Sequence, residues 1–491
     1  MLTRVLPFFL SVIISSLVAQ QLPNVLWIVV EDQSKHYGFN GEGLVKTPVL
    51  DKLCKDGVKF INASVTAPVC STARSALITG MFQTSIGAHH HRSGRGELKI
   101  QKPDQVKLIP ELFKEAGYYT CLGTIGHVAG TINPKHKGRL GKSDYNFEWD
   151  PSVFDAGEWS GRKKDQPFFA KICLSGGKAR TAARASKDIP HVAASKVKLP
   201  PYYPAHPELL EDWAAYLDTF SLVDRQVGQI VDRLKKEGIF EKTIIFFTTD
   251  HGVSHARGKQ YCYDEGMMIP FFVHAPGRIK AGTVRKDPVL HIDLAATSLY
   301  FAGIDIPEYM EARTLFGPEA QARKFAVSAR DRCDETYDRI RAVRTQRFKY
   351  IRNGYPERPH LQPCAYKDNK PTYIAIRDWG KKGKLDELQQ RLLLSPNRSP
   401  EELYDLKKDP WELKNLANDQ KHTKILLKMR KTLDEWIKET GDRGQKVESE
   451  KMYDSDMKIY MDGQAIRGRK ERADEIRKNV DQMKKWWKEG K

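Results

Sequence analysis

Residues 24–30, Asn-Val-Leu-Trp-Ile-Val-Val, form a near-continuous apolar run that stops at Glu31-Asp32. A second run, Thr243–Phe247, leads through two threonines into Asp250-His251-Gly252. Runs with no polar alternation fit strands covered on both faces, as in parallel sheets packed between helices. Helical patterns lie between them at 107–116 and 209–237, and further strand-like segments at 167–174 and 270–274. This alternation predicts an α/β fold with a mostly parallel sheet flanked by helices. Ligands of such sheets bind beyond the C-terminal ends of the strands. Both acid clusters fall there, which makes these two strand ends the first candidate site.

Beyond about residue 335 the pattern changes. Residues 341–352 (RAVRTQRFKYIR) read as an alternating strand and 402–406 (ELYDL) as another, with a helix expected near 420–438. A chain of 491 residues exceeds one ordinary domain. The expected division is a catalytic domain over 21–335, a smaller antiparallel α+β subdomain over 336–440, and a basic helical tail over 441–491 with a solvated face. The first 20 residues carry Arg4 and then an apolar run from Val5 to Val18. That run is shorter than the roughly 20 residues of a bilayer span and reads as a signal peptide, so the chain is expected to be secreted or periplasmic. Mean hydropathy of −0.55 excludes a multi-span membrane protein. The seven cysteines show no zinc-like spacing, and disulfide pairs cannot be assigned from sequence. A formal net charge of +19 suits an acidic partner. For an exported chain without a recognisable nucleic-acid module, that partner is a polyanion such as a sulfated polysaccharide rather than nucleic acid.

The segment from Cys70 to Gly80, CSTARSALITG, places Cys70 and Arg74 on adjacent turns of a helix. It resembles the signature of the formylglycine-dependent (type I) sulfatases, in which Cys-x-Pro/Ala-x-Arg leads into Leu-x-Thr-Gly. Further blocks resemble that family in its order: NVLWIVVED, TPVLDKL (47–53), FINA (60–63), TTDHG (248–252), GKQYCYDEGMMIPF (258–271), AVRTQRFKYI (342–351) and ELYDLKKDPWELKNLA (402–417). The resemblance implies an alkaline-phosphatase-like architecture. It also implies that a formylglycine-generating maturation enzyme oxidises Cys70, and that the hydrated aldehyde attacks sulfur. Arg74 would orient the hydrate. Thr72 stands where the family usually has Pro or Ala.

The same resemblance implies a metal held by Glu31, Asp32, Asp250 and His251, with Ca²⁺ favoured by the oxygen-rich donors. Lys259 matches a basic residue that contacts the sulfate, and its short spacing from Asp250 resembles the N-sulfoglucosamine sulfohydrolase branch. Counting directly from Gly117-Tyr118-Tyr119-Thr120 puts Ile125 in the family's lysine slot and His127 in its histidine slot. With an insertion over 121–140, Gly141-Lys142 becomes the displaced block, and Lys142 is the preferred sulfate-contacting lysine. His127 stays a candidate general acid. Lys178 stands where the family usually has His and is expected to bind sulfate. His89, His91 and His255 are candidate substrate contacts; three consecutive histidines cannot share one face, so His89-His90-His91 is not a three-ligand zinc site.

The expected function is sulfate hydrolysis from a sulfated carbohydrate. The rivals are a sulfated-glycan-binding protein, should Cys70 stay a thiol, and a phosphoester hydrolase of the same architecture.

Overall fold

The computed structural model of the chain describes residues 22–133 and 138–491. The expected signal peptide, and part of the expected insertion over 121–140, lie outside the described residues. Seven strands form one sheet in the order β3-β4-β1-β5-β6-β2-β7. Their ranges are β1 Asn24–Val30, β2 Val58–Ser64, β3 Tyr119–Thr124, β4 Phe168–Leu174, β5 Thr243–Thr249, β6 Phe271–His274 and β7 Thr283–Leu290. The sheet is parallel except at β6, which runs antiparallel to both β5 and β2. Every residue of β1, β4 and β5 is buried, in keeping with their mainly apolar sequences, with Lys171 of β4 the charged exception. Trp27 lies at the centre of β1 and donates its indole N–H to Ser298 Oγ at 2.8 Å, so a fully buried polar group is satisfied.

The helix Pro207–Lys236 covers one face. Pro207 starts it, His206 accepts from the Glu208 amide at 3.1 Å, and Arg233, Lys235 and Lys236 end it. Each suits its terminus, because the helix dipole favours cations at the C-terminal end. Leu209, Trp213, Leu217, Phe220, Val227, Ile230 and Leu234 recur at helical spacing and are buried.

The second sheet is antiparallel, in the order β11-β10-β9-β8, with β8 Ala326–Arg330, β9 Ile340–Arg344, β10 Phe348–Asn353 and β11 Glu401–Asp405. Two differences from the expected organisation stand out. Residues 341–352 are a hairpin rather than one strand: Thr345 Oγ1 accepts from the Phe348 amide at 2.9 Å and closes the turn. No glycine, proline, asparagine or aspartate marks this turn in sequence, which hides it. The sheet also begins at Ala326, before residue 335.

The basic tail is a pair of helices with exposed charged faces and a shared apolar stripe. Helices Glu450–Ile466 and Lys470–Lys488 form a hairpin around Tyr453, Met457, Tyr460, Ile476, Val480 and Met483, packed with Tyr337 and Ala365. These apolar residues recur every three or four positions among the lysines, a stripe that overall charge conceals. Polar ties fix the hairpin to the body. Arg332 binds Glu448 at 2.7 Å and Asp456 at 2.6 Å, all three buried. Tyr453 donates to the Glu335 carbonyl at 2.7 Å, and Asn479 donates to the Glu335 carboxyl at 2.9 Å.

Burial pushes the Glu335 carboxyl up to about 7, and neighbouring Asp334 adds to the shift. An unfolded glutamate titrates near 4.3. Glu335 therefore lowers stability as pH rises from about 4.3 to about 7, because the unfolded state ionises first, and the loss levels off above that. Glu335→Gln removes this slope. Its thermal midpoint, measured against the parent chain, is expected to rise between pH 5 and pH 8; a constant difference would contradict the assignment.

Candidate active site

The site lies where strand register puts it. Val30 of β1 pairs with Thr249 of β5 and with Leu174 of β4. The residues that follow all three strands therefore emerge side by side: Glu31-Asp32, Asp250-His251 and Ser175–Lys178. Asp32 adopts a left-handed backbone (φ 53°), a conformation Asp tolerates better than most residues, and its amide donates to Asp250 Oδ1 at 3.0 Å. The turn after β4 presses directly on β1. At Gly176 (φ 47°) a Cβ would meet the Glu31 carbonyl at 2.4 Å, and at Gly177 it would meet the Asp32 carbonyl at 2.1 Å. Only glycine fits both positions, and this contact carries Lys178 over the strand ends.

Cys70 opens the helix Cys70–Thr79, every residue of which is buried. Its Sγ lies 2.9 Å from Lys259 Nζ, 3.0 Å from His251 Nε2, 3.7 Å from Lys178 Nζ and 3.8 Å from Asp32 Oδ1. Arg74, one turn later, binds Asp250 and also Asp144, the latter at 2.6 Å. Its second terminal nitrogen is buried without a partner. Thr72 turns its hydroxyl back onto the Val69 carbonyl at 2.8 Å, so this departure from the usual motif is satisfied within the helix start.

Burial alone would raise the Cys70 thiol. Lys178, Lys259, His251 and Lys142 outweigh it and hold the group well below the usual thiol range. The helix N-terminus acts in the same direction. The same centre holds Asp32 below the ordinary carboxylate range, through Lys178, Lys259 and His251 acting against burial. His251 is raised by Asp250, Cys70 and Asp32 against its burial. This is a centre built to hold anionic oxygen or sulfur.

Asp32, Cys70, Asp250 and His251 present ligand atoms that all lie within 4.8 Å of one another. His251 Nδ1 faces the Gly252 carbonyl at 2.8 Å, which leaves Nε2 turned to the cluster as a lone-pair donor. Two carboxylates and an imidazole so arranged fit a divalent cation. Glu31, the fourth expected ligand, is held instead by Lys178 and by Lys142 at 2.8 Å.

The remaining candidates divide. Lys142 reaches the centre through Glu31 and lies 3.9 Å from Asp144. Asp144, not singled out from sequence, is the second anchor of Arg74; its signal was its place two residues after Lys142. His127 is elsewhere: its ring nitrogens face Thr124 at the start of its own short helix and the Arg139 carbonyl at 2.8 Å. The geometry thus separates His127 from Cys70 and engages it in helix capping. His89 is buried and pushed down to about 3 by desolvation and by Arg341, which keeps it neutral in the packing against the second sheet. His91 pairs with Asp334 at 3.2 Å. His255 stacks on Trp213 and bonds Asp212, beside Arg180.

In the unconverted, metal-free protein, residue 70 is expected to be a thiolate at neutral pH. Its ultraviolet thiolate absorbance should persist at pH 7, and Lys259→Met should move the titration midpoint up by at least one unit, since one unit equals about 1.4 kcal/mol of differential interaction. An unshifted midpoint would remove Lys259 from the charge balance.

A family model described as Sulfatase matches residues 23–304, and one described as N-sulphoglucosamine sulphohydrolase, C-terminal matches residues 251–359. The chain is 32% identical over 482 residues to an ulvan-active sulfatase of Formosa agariphila, covering 87% of this chain and 77% of that protein. It is 26% identical to the human N-sulphoglucosamine sulphohydrolase, over 85% of this chain and 90% of that one. Among solved structures, a 2-O GAG sulfatase superposes with a TM-score of 0.62 at 20% identity, covering 88% of this chain and 96% of the other. The chain belongs to the sulfatase family and is a sulfuric ester hydrolase.

Proposed function

We propose that this protein removes sulfate groups from a sulfated carbohydrate, with formylglycine derived from Cys70 as its nucleophile. The observation that carries the reading is the convergence of Lys259, Lys178 and His251 on Cys70 Sγ at a helix N-terminus. The names of its relatives, ulvan-active and GAG sulfatases, support a polysaccharide-derived substrate. We read the enzyme as exported, on the sequence of residues 1–20, and assign 21–335 to catalysis with 336–440 and 441–491 as its supports.

In this reading Cys70 Sγ marks the position of the hydrated aldehyde's oxygens. One hydroxyl of the hydrate attacks sulfur as the bond from sulfur to the sugar oxygen or nitrogen breaks. The second hydroxyl then loses its proton, the carbon–oxygen double bond re-forms, and sulfate leaves with the first oxygen. Water rehydrates the aldehyde. Arg74, fixed by Asp250 and Asp144, orients the hydrate. Lys259, Lys142 and Lys178 balance the charge of the transferring group, an effect worth several kcal/mol where water is scarce. A Ca²⁺ ion held by Asp32, Asp250 and His251, with Glu31 beside them, would supply further positive charge and lower the pKa of the attacking hydroxyl.

The side-chain exposures mark the mouth of the site. Lys178 and Lys142 are 31% and 29% exposed, whereas Lys259 is 4% and His251 0%. The leaving group thus departs past Lys178. Asp32, Cys70 and Glu31 hold the Lys178 ammonium up against its burial, so it stays charged beside the sulfate. A charge held that firmly is a poor proton donor near neutral pH, and we assign Lys178 to binding the sulfate.

Peptide mass spectrometry should show residue 70 as formylglycine, and Cys70→Ala should bind sulfated oligosaccharide yet release no sulfate. Release at the parent's rate would sink the nucleophile. Lys178→Ala should lower kcat/KM for sugar sulfates and for 4-nitrophenyl sulfate, whose leaving group needs no proton, by a similar factor of about 10²–10³. A much larger loss on the sugar sulfates would instead make Lys178 the proton donor.

Chelation should abolish turnover and lower the thermal midpoint, and Ca²⁺ should restore both; recovery with another divalent ion but not Ca²⁺ would correct the metal. A sulfate-release panel of O- and N-sulfated sugars separates the two substrate classes.

A further inference from the structure

Cations continue outward from the nucleophile along one path. Lys259 Nζ, in contact with Cys70 Sγ, also lies 5.1 Å from the centre of the Tyr366 ring. The same ring receives Lys370 Nζ at 4.5 Å and Arg472 Cζ at 5.7 Å. Three separate parts of the chain meet at this tyrosine: the loop after β5, the segment before helix Pro371–Lys381, and the second helix of the C-terminal hairpin. Tyr366 and both outer cations are partly exposed.

The outer cations are not spent on the protein. Lys370 gives two donors to Ser254, to its carbonyl at 3.1 Å and its hydroxyl at 2.7 Å, and an ammonium has three. Arg472 Nε is buried with no acceptor. Of the nearby acids, Asp368 is bound by Arg377 at 2.6 Å, and Glu475 accepts from Asn369 while also lying in the field of Arg472. Lys370 and Arg472 both lie against the Tyr366 ring, and an anion bound beside them would be attracted by both charges. The Tyr366 ring adds an aromatic surface beside these charges, joined to Cys70 through Lys259.

We propose that Tyr366, Lys370 and Arg472 form a second anion subsite beside the sulfate-cleaving centre, taking a carboxylate or a second sulfate carried by the reacting sugar or its neighbour. The proposal rests on the sulfatase reading above. It makes the C-terminal hairpin part of substrate selection, because Arg472 belongs to it.

The test uses the full chain carrying Cys70→Ala and measures binding by calorimetry to two probe pairs. One pair is a sulfated disaccharide carrying a uronic acid and its methyl ester; the other is D-glucosamine 2-N,6-O-disulfate and D-glucosamine 2-N-sulfate. In at least one pair the extra anion should tighten binding about tenfold, equal to about 1.4 kcal/mol. The pair that responds identifies the carboxylate or the sulfate as occupant. Lys370→Ala and Arg472→Gln, with unchanged unfolding midpoints, should each reduce that gain far more than they weaken the singly charged probe, and Arg472→Lys should restore part of it. Equal affinities within both pairs, or a gain that survives both substitutions, would overturn the subsite. Release of 4-nitrophenolate from 4-nitrophenyl sulfate by the unsubstituted chain reports the chemistry separately. No release, alongside a retained and substitution-sensitive gain, would fail the catalytic mechanism and leave the subsite standing.

Discussion

Arg74 is the tie between the sheet and the helix that carries residue 70. Its guanidinium joins Asp250, at the end of β5, to Asp144, on the loop beside β3 and β4, and it does so almost without solvent. Breaking a buried pair of this kind leaves uncompensated charge and costs roughly 3–5 kcal/mol. Here the cost would fall on the placement of residue 70, because Cys70 and Arg74 share one helical turn. The register of β1 against β5 sets where the carboxylates stand, and Arg74 sets where the helix stands relative to them.

The parts legible from sequence were those whose physics is local. Strands β1, β4 and β5 announce themselves because burial on both faces demands unbroken apolar runs, and their ends locate the acids. The helix 207–236 shows its buried stripe in the spacing of its residues. What stayed hidden depends on long-range contact. Lys142 enters the centre through Glu31, 111 positions away in sequence, and nothing near residue 142 reveals that partner. The Gly176-Gly177 pair was the local trace of Lys178's placement, since two adjacent glycines mark a close backbone approach. The helical character of the tail was read from sequence but its packing was not: its lysines dominate the composition, while a few residues at helical spacing decide which face is buried.

The surplus of positive charge is also organised rather than diffuse. Arg74, Lys142, Lys178 and Lys259 surround the centre, and Arg180, Lys370 and Arg472 continue beyond it. Charges grouped in a cleft raise the local concentration of an anionic ligand and speed its arrival, an effect that weakens with salt. The acids among them, Glu31, Asp32, Asp144 and Asp250, keep the inner cations fixed in place without cancelling the field at the mouth.

The complete burial of helix Cys70–Thr79 imposes an order on events in the life of the chain. Under the proposed conversion of Cys70, a modifying enzyme would have to reach a residue that the finished fold leaves almost unexposed. Modification and folding would then compete in time. A polypeptide that buried this helix first would keep its thiol until it unfolded again. The converted fraction of a preparation would record which process ran faster.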